Sequence, residues 1–164
     1  MGREIVVLRH AHAEMPLADI SDSARPLSAR GHNEAKAVKD WFITQGFVFD
    51  LVLCSPAERT KQTLALVLDE HSQNEVRFMP EIYNATPGIL LDLLDQMSSA
   101  KRILLIGHNP GLEQLVALLV EGRSEVLHGL PTAGVAVLRL MQTSVEPGTA
   151  ELKVFWSPTP EAGV

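Results

Sequence analysis

Residues 103–112 read Ile-Leu-Leu-Ile-Gly-His-Asn-Pro-Gly-Leu. Four consecutive aliphatic residues, Ile103 to Ile106, have the length and the two-sided hydrophobicity of a strand covered on both faces. The run stops at Gly107-His108. Asn109-Pro110 then opens a helix whose inward face is Leu112, Leu115, Val116 and Leu119. Buried strand, polar corner and amphipathic helix together are the repeating unit of a parallel α/β sheet.

The same grammar recurs upstream. Ile5 to Leu8 is a short buried strand ending at Arg9-His10. A polar stretch through Asp19, Ser21 and Asp22 reads as loop. Ser28 then caps a helix facing inward with Ala35, Val38, Trp41 and Phe42, and Gly46 ends it. Leu51 to Cys54 is a second buried strand. After it, Ser55-Pro56-Ala57-Glu58 predicts a helix start: Ser55 as N-cap, Pro56 in the first turn, Glu58 closing a capping box. Leu64, Val67 and Leu68 are that helix's apolar stripe. Val76 to Met79 is a weaker strand, and Thr86-Pro87 opens a helix carrying Leu90, Leu91 and Leu94. Val135 to Met141 and Leu152 to Trp156 then alternate without an intervening helix, around a turn at Pro147-Gly148. The expectation is an α/β three-layer sandwich. Its central sheet is mainly parallel with at least one antiparallel strand, helices cover both faces, and the strands near 4–8, 50–54 and 102–106 are adjacent and parallel.

Length and composition fit one domain spanning 1–164. Hydrophobic residues make up 46% and charged residues 21%, which excludes a disordered, collagenous or coiled-coil chain. Aromatics are only 5%, so the core is expected to be mostly aliphatic. A net charge of −6 argues against general nucleic-acid binding, which needs a basic face. The single cysteine, Cys54, excludes an internal disulfide and a multi-cysteine zinc site. The apolar run near the start is too short for a signal peptide or a membrane helix, so the expected compartment is the cytoplasm, with no membrane partner. SPTPEAGV, residues 157–164, reads as a frayed tail.

Three strand ends break the apolar pattern with chemistry-bearing residues. Arg9-His10 follows the first strand, Ser55 to Arg59 the second, and Gly107-His108 the fourth. Ligands of open α/β sheets bind outside the carboxyl ends of the strands. Arg9, His10, Arg59 and His108 therefore converge although the outermost two are 99 positions apart. Two arginines, two histidines and neighbouring helix N-termini make a site for a dianion such as phosphate. Each residue alone also has a plain structural reading, as a satisfied histidine or a surface charge; the shared location is what favours chemistry.

These stretches resemble the motifs of a known family. LRHAHAE, residues 8–14, resembles the Arg-His-Gly signature that opens the histidine phosphatase (phosphoglycerate-mutase-like) superfamily. CSPAERTKQT, residues 54–63, and GHNPGLEQL, residues 107–115, resemble its second and third motifs, in the family's order. SDSARPLSARGHNEA, residues 21–35, looks like the matching region of the small SixA-type phosphohistidine phosphatases. The resemblance covers about residues 4–120. It implies His10 as a nucleophile that becomes phosphorylated, Arg9 and Arg59 as phosphate-binding arginines, and His108 as the second pocket histidine. Arg25 matches a further phosphate-binding arginine. The family's Gly after the nucleophile is Ala11 here; if that position needs positive φ, Ala costs about 1 kcal/mol or more.

The implied reaction is metal-independent phosphoryl transfer to His10 and then to water, with inorganic phosphate as product and no cofactor. The leading substrate is phosphohistidine in a signalling protein. Phosphosugars and other small phosphomonoesters are the alternative, and a non-catalytic phosphohistidine-binding module is a second. An alkoxide leaving group wants a general acid, for which Glu81 is the nearest carboxylic candidate. The 49 positions from Arg59 to His108 leave no room for a long insertion over the pocket, so it is expected to be open. Two rival chemistries are weaker. A cysteine phosphatase needs five residues between Cys and Arg, but four separate Cys54 from Arg59. Alternate His10 and His12 could start a zinc site, yet no further ligands follow at a matching spacing, and His12 reads better as a loop residue at the pocket mouth.

Overall fold

The computed structural model describes residues 2–126 and 128–158; all but two residues of the segment read as a tail lie outside these. The strands are β1 (Glu4–Arg9), β2 (Leu51–Cys54), β3 (Glu75–Phe78), β4 (Arg102–Gly107), β5 (Val135–Leu140) and β6 (Ala150–Trp156). The α-helices are α1 (Ala29–Gln45), α2 (Glu58–Val67), α3 (Pro87–Gln96) and α4 (Gly111–Glu121). The strands form one sheet in the order β3-β2-β4-β1-β5-β6. The β3-β2-β4-β1 portion is parallel, and β5 and β6 add antiparallel to its β1 edge. The α/β architecture and the adjacency of β2, β4 and β1 are as the sequence predicts.

Alternation along the central strands explains the layering. Ile5, Val7, Ile103 and Leu105 face a core built with Leu90, Leu93 and Leu94 of α3 and Leu112, Leu115 and Leu119 of α4. Val6, Leu8, Val52 and Ile106 face the opposite core, built with Ala35, Val38 and Phe42 of α1 and Leu64 and Val67 of α2. Both faces of β1, β2 and β4 are thus covered, which is why they read as continuous apolar runs rather than alternating ones. β3 is an exposed edge strand, consistent with its weaker signal.

Helix starts follow the sequence at two places and depart at a third. Ser28 caps α1 by accepting from the Gly31 N–H, and Gly46 closes it in the left-handed conformation. Thr86 caps α3 by accepting from the Ile89 N–H. Ser55, however, is not the cap of α2. That helix begins at Glu58 with Ala57 at its N-cap position and no side-chain cap. Instead the Thr60 hydroxyl reaches back to the carbonyls of Ser55 (2.7 Å) and Ala57 (2.8 Å), which tightens the turn, and the Ser55 hydroxyl is engaged elsewhere.

The N-terminus of α1 lies directly on the loop after β1. A Cβ on Gly31 would stand 2.0 Å from the His12 carbonyl oxygen. Only a residue without a side chain allows that approach. Gly31→Ala must push helix and loop apart, and is expected to lower stability by roughly 1–3 kcal/mol or more. Thermal unfolding measures it; an unchanged midpoint would show that α1 does not set the position of this loop.

Candidate active site

The register of the parallel strands builds the site. Arg9 pairs with Gly107, and Cys54 with Ile106, so β1, β2 and β4 end side by side. The ladder continues one step further: the His10 N–H donates to the Gly107 carbonyl and the Ser55 N–H to the Ile106 carbonyl, each at 3.1 Å. On the other side the Ala133 N–H donates to the His10 carbonyl at 3.0 Å. His10 is therefore held by backbone from β4 on one side and from the segment leading into β5 on the other.

The four residues singled out by sequence come together. The rings of His10 and His108 lie 5.3 Å apart, centroid to centroid. Arg59, in the first turn of α2, is buried, and its charge and that of Arg9 both reach the two rings. Arg9 donates from Nη1 to the Leu130 carbonyl at 3.0 Å. Three buried nitrogens, Arg9 Nε, Arg59 Nε and His108 Nδ1, have no hydrogen-bond partner among the described residues. Buried polar groups are normally paired, and orphaned ones concentrated in one place call for a ligand that satisfies them. The two guanidinium nitrogens are donors only, so the ligand that satisfies them is an acceptor.

The histidine protonation is set by geometry. Nδ1 of His10 lies 2.7 Å from the carbonyl oxygen of Ala11. A carbonyl only accepts, so Nδ1 carries the proton and Nε2 keeps the lone pair. Burial, and then the charges of Arg59, Arg9 and Arg25, hold the His10 ring down at about 4. Burial followed by the Arg59 charge pushes His108 down to about 3. Both rings are neutral at pH 7, which leaves His10 competent as a nucleophile.

Asp22 was not legible as a site residue, because in sequence it is one acidic residue in a polar loop. In the structure it ties the basic cluster together. Arg59 donates to its backbone carbonyl (2.7 Å) and to its carboxylate (3.1 Å), Arg25 donates to the other carboxylate oxygen (3.0 Å), and the Tyr83 hydroxyl donates to Oδ2. The Tyr83 hydrogen bond, and then the Arg59 charge, hold the Asp22 carboxyl down at about 2. Tyr83 also sets its ring edge-on to His108 at 5.4 Å. Glu81 is exposed in the 3-10 turn that precedes Tyr83, so Tyr83 rather than Glu81 walls the pocket. Arg25 sits on the outer side of this cluster, donating also to the Glu14 carbonyl at 3.0 Å.

Ala11 corrects an expectation. It is fully buried but lacks positive φ, so no strain follows from the missing glycine. Its N–H donates to the Thr63 hydroxyl at 3.0 Å. The one non-glycine residue with positive φ among those described is Ala133, the residue that clamps the His10 carbonyl. His12 turns to the Ser28 hydroxyl (2.7 Å), and its N–H donates to buried Glu34, which also accepts from Thr132. Glu34 was likewise missed: it braces α1 against the loops that hold His10. His12 and Arg9 both line an open cleft of about 990 Å³ that runs to Phe155 and Trp156. Cys54 is fully buried, and burial pushes its thiol up to about 12, so it cannot supply a thiolate at neutral pH. Among the described residues no three His, Cys, Asp or Glu side chains are grouped to share a metal ion, and no helix is long and apolar enough to cross a membrane.

At the carboxyl edge of a mostly parallel sheet, then, stands a cluster of arginines and neutral histidines whose buried donors have no partner among the described residues. The family is shown by comparison. The model of the histidine phosphatase superfamily (branch 1) matches residues 5–101, and the chain belongs to that superfamily, in its SixA-like branch. An uncharacterised protein of Mycobacterium tuberculosis is 32% identical over 92% of this chain and 99% of its own length. The phosphohistidine phosphatase SixA of Escherichia coli is 30% identical over 74% of this chain and 76% of its own. A solved structure of the protein histidine phosphatase SixA complexed with tungstate superimposes with a TM-score of 0.80 at 27% identity, covering 94% of this chain and 97% of that one. Membership supports phosphatase activity.

The neutral histidines carry a pH signature. In the unliganded protein, NMR titration of the His10 ring is expected to give a midpoint near 4. An ordinary midpoint near 6.5 would contradict the burial described here. The same depression predicts a stability trend. As pH falls below about 6.5 the unfolded chain takes up protons that these two folded rings refuse until about 4 and about 3, so stability is lost across that window.

Proposed function

We propose that this protein is a metal-independent phosphatase that forms a phosphohistidine on His10, and that its substrate is phosphohistidine in a signalling protein. The observation that carries the reading is the pairing of a neutral His10, its Nδ1 proton held by the Ala11 carbonyl, with buried nitrogens on Arg9, Arg59 and His108 that have no partner among the described residues.

In the proposed reaction, the phosphoryl oxygens take hydrogen bonds from Arg9 and Arg59, with Arg25 as an outer contact. The Nε2 lone pair attacks phosphorus, and the bond from phosphorus to the leaving group breaks. His108 donates to the transferring group and stabilises charge as it develops. Water then attacks the phosphohistidine, inorganic phosphate departs, and His10 regains its lone pair. The arginine charge serves where other phosphatases use a cation. The compartment proposed for this reaction is the cytoplasm.

The choice of substrate rests on acidity. An alkoxide leaving group needs a proton from a group titrating near neutral pH. Of the two acidic groups hydrogen-bonded into the arginine cluster, Asp22 stays ionised down to about 2, and its hydrogen bond raises Tyr83 above the ordinary phenol range. Neither is such an acid. Imidazole leaves phosphorus with far less assistance, which favours phosphohistidine. The open cleft beside Arg9 would admit a phosphorylated side chain presented by another protein. The alternative, a small phosphomonoester, is favoured by one feature: the cleft of about 990 Å³ beside Arg9 is of a size that holds a small molecule.

The test is a comparison of kcat/KM on a phosphohistidine protein and on a panel of phosphosugars and other phosphomonoesters. The phosphohistidine protein is expected to be the better substrate, with activity retained in EDTA and in Cys54→Ser. Preference for an alkyl phosphate would move the assignment to the alternative, and anion binding without turnover would leave only a binding module. Arg59→Ala is expected to weaken binding of vanadate by about 2–3 kcal/mol, the scale of charged hydrogen bonds. Calorimetric titration measures it, and unchanged affinity would remove Arg59 from the phosphate site.

A further inference from the structure

We infer that Ser55 is a positioning residue: its hydroxyl donates to Nε2 of His108 and holds that ring in the tautomer whose Nδ1–H is the donor to the phosphoryl group. The inference deepens the phosphatase reading and rests on it for the role of His108.

The direction of the hydrogen bond follows from an account of partners. Ser55 is completely buried at the end of β2, and its Oγ lies 2.7 Å from His108 Nε2. The other contact of that oxygen is the Ala57 N–H at 3.4 Å, which can only donate. Among the described residues the hydroxyl hydrogen therefore has one acceptor within reach, His108 Nε2. In the reverse arrangement, with the proton on Nε2, the buried hydroxyl hydrogen would have no partner. His108 Nδ1 would then present a lone pair to an anion. Both faults vanish when Ser55 donates and Nδ1 carries the proton. Nδ1 is buried and without a partner among the described residues, as a donor awaiting the phosphoryl oxygen should be.

Ser55 is itself fixed from two sides. Its N–H donates to the Ile106 carbonyl at 3.1 Å, and its carbonyl accepts from the Thr60 hydroxyl at 2.7 Å. These bonds hold the backbone that presents the hydroxyl to His108. The two pocket histidines then have the same tautomer for opposite purposes. The Ala11 carbonyl holds the proton on His10 Nδ1 and frees Nε2 for attack, while Ser55 occupies His108 Nε2 and frees the Nδ1–H for donation.

The test is ¹⁵N NMR of the unliganded, histidine-labelled protein, with His108 assigned by the signal lost in His108→Gln. In the wild type, His108 is expected to show a protonated Nδ1 and an unprotonated Nε2. A proton on Nε2 would overturn the inference directly, with no variant needed. Ser55→Ala is expected to give a mixture of tautomers and to lower kcat on the order of 10–100-fold with little change in KM, the scale for removing a partner that orients a histidine. A Ser55→Ala protein that unfolds at the wild-type temperature, keeps the single tautomer and keeps kcat would also overturn it. The tautomer is read without substrate, so it stands or falls separately from the phosphatase reading, which turnover of the wild type decides.

Discussion

The site depends on the shared register of three parallel strands. Because Arg9 faces Gly107 and Cys54 faces Ile106, the chain leaves β1, β2 and β4 at one level. The residues that follow, His10, Ser55 and His108, then stand beside one another without any loop having to reach. The hydrogen bonds that extend the ladder past the strand ends make this edge part of the sheet rather than a set of loops on top of it. Both faces of these strands are sealed by aliphatic side chains, so a slip of register would put buried residues on the wrong face. The core thereby fixes the geometry of the chemistry.

Electrostatics follows from that placement. Two histidines buried among arginines cannot hold protons at neutral pH, since burial and positive neighbours both disfavour the charged ring. Arg59 and Arg25 need a countercharge, and Asp22 supplies it from the side of the pocket, while Glu113 and Glu34 act on Arg9. Its carboxylate bridges Arg59, Arg25 and Tyr83 while the Nε of Arg59 has no partner among the described residues. The cluster is thus neutralised enough to be stable in the fold yet retains donors for an incoming anion. The same low pKa that keeps Asp22 ionised removes it as a proton source, which in the proposed reaction ties the character of the leaving group to the charge balance of the pocket.

Much of this was readable from sequence, and the reasons for the rest are physical. The runs at Ile5, Leu51 and Ile103 showed the central strands because strands buried on both faces tolerate only apolar residues. Arg9, His10, Arg59 and His108 stood out as polar breaks at the ends of such strands. Ser55 was misread as a helix cap, because a serine before a proline and a glutamate has that local grammar, whereas its partner His108 lies 53 positions away. Asp22, Glu34 and Tyr83 carried no local signal for a similar reason: each acts through contacts far apart in the chain, such as the 61 positions between Asp22 and Tyr83. Ala11 shows the opposite case, where a departure from the family motif suggested strain and the backbone conformation removes it.

The central claim is that His10 Nε2 becomes covalently phosphorylated. The most direct measurement is rapid quenching of the protein with a ³²P-labelled phosphodonor, followed by peptide mapping and a stability test of the label. The account predicts label on His10, lost in mild acid and retained in alkali as a phosphoramidate is, and absent from His10→Ala. Label on any other residue, or full turnover by His10→Ala, would contradict it.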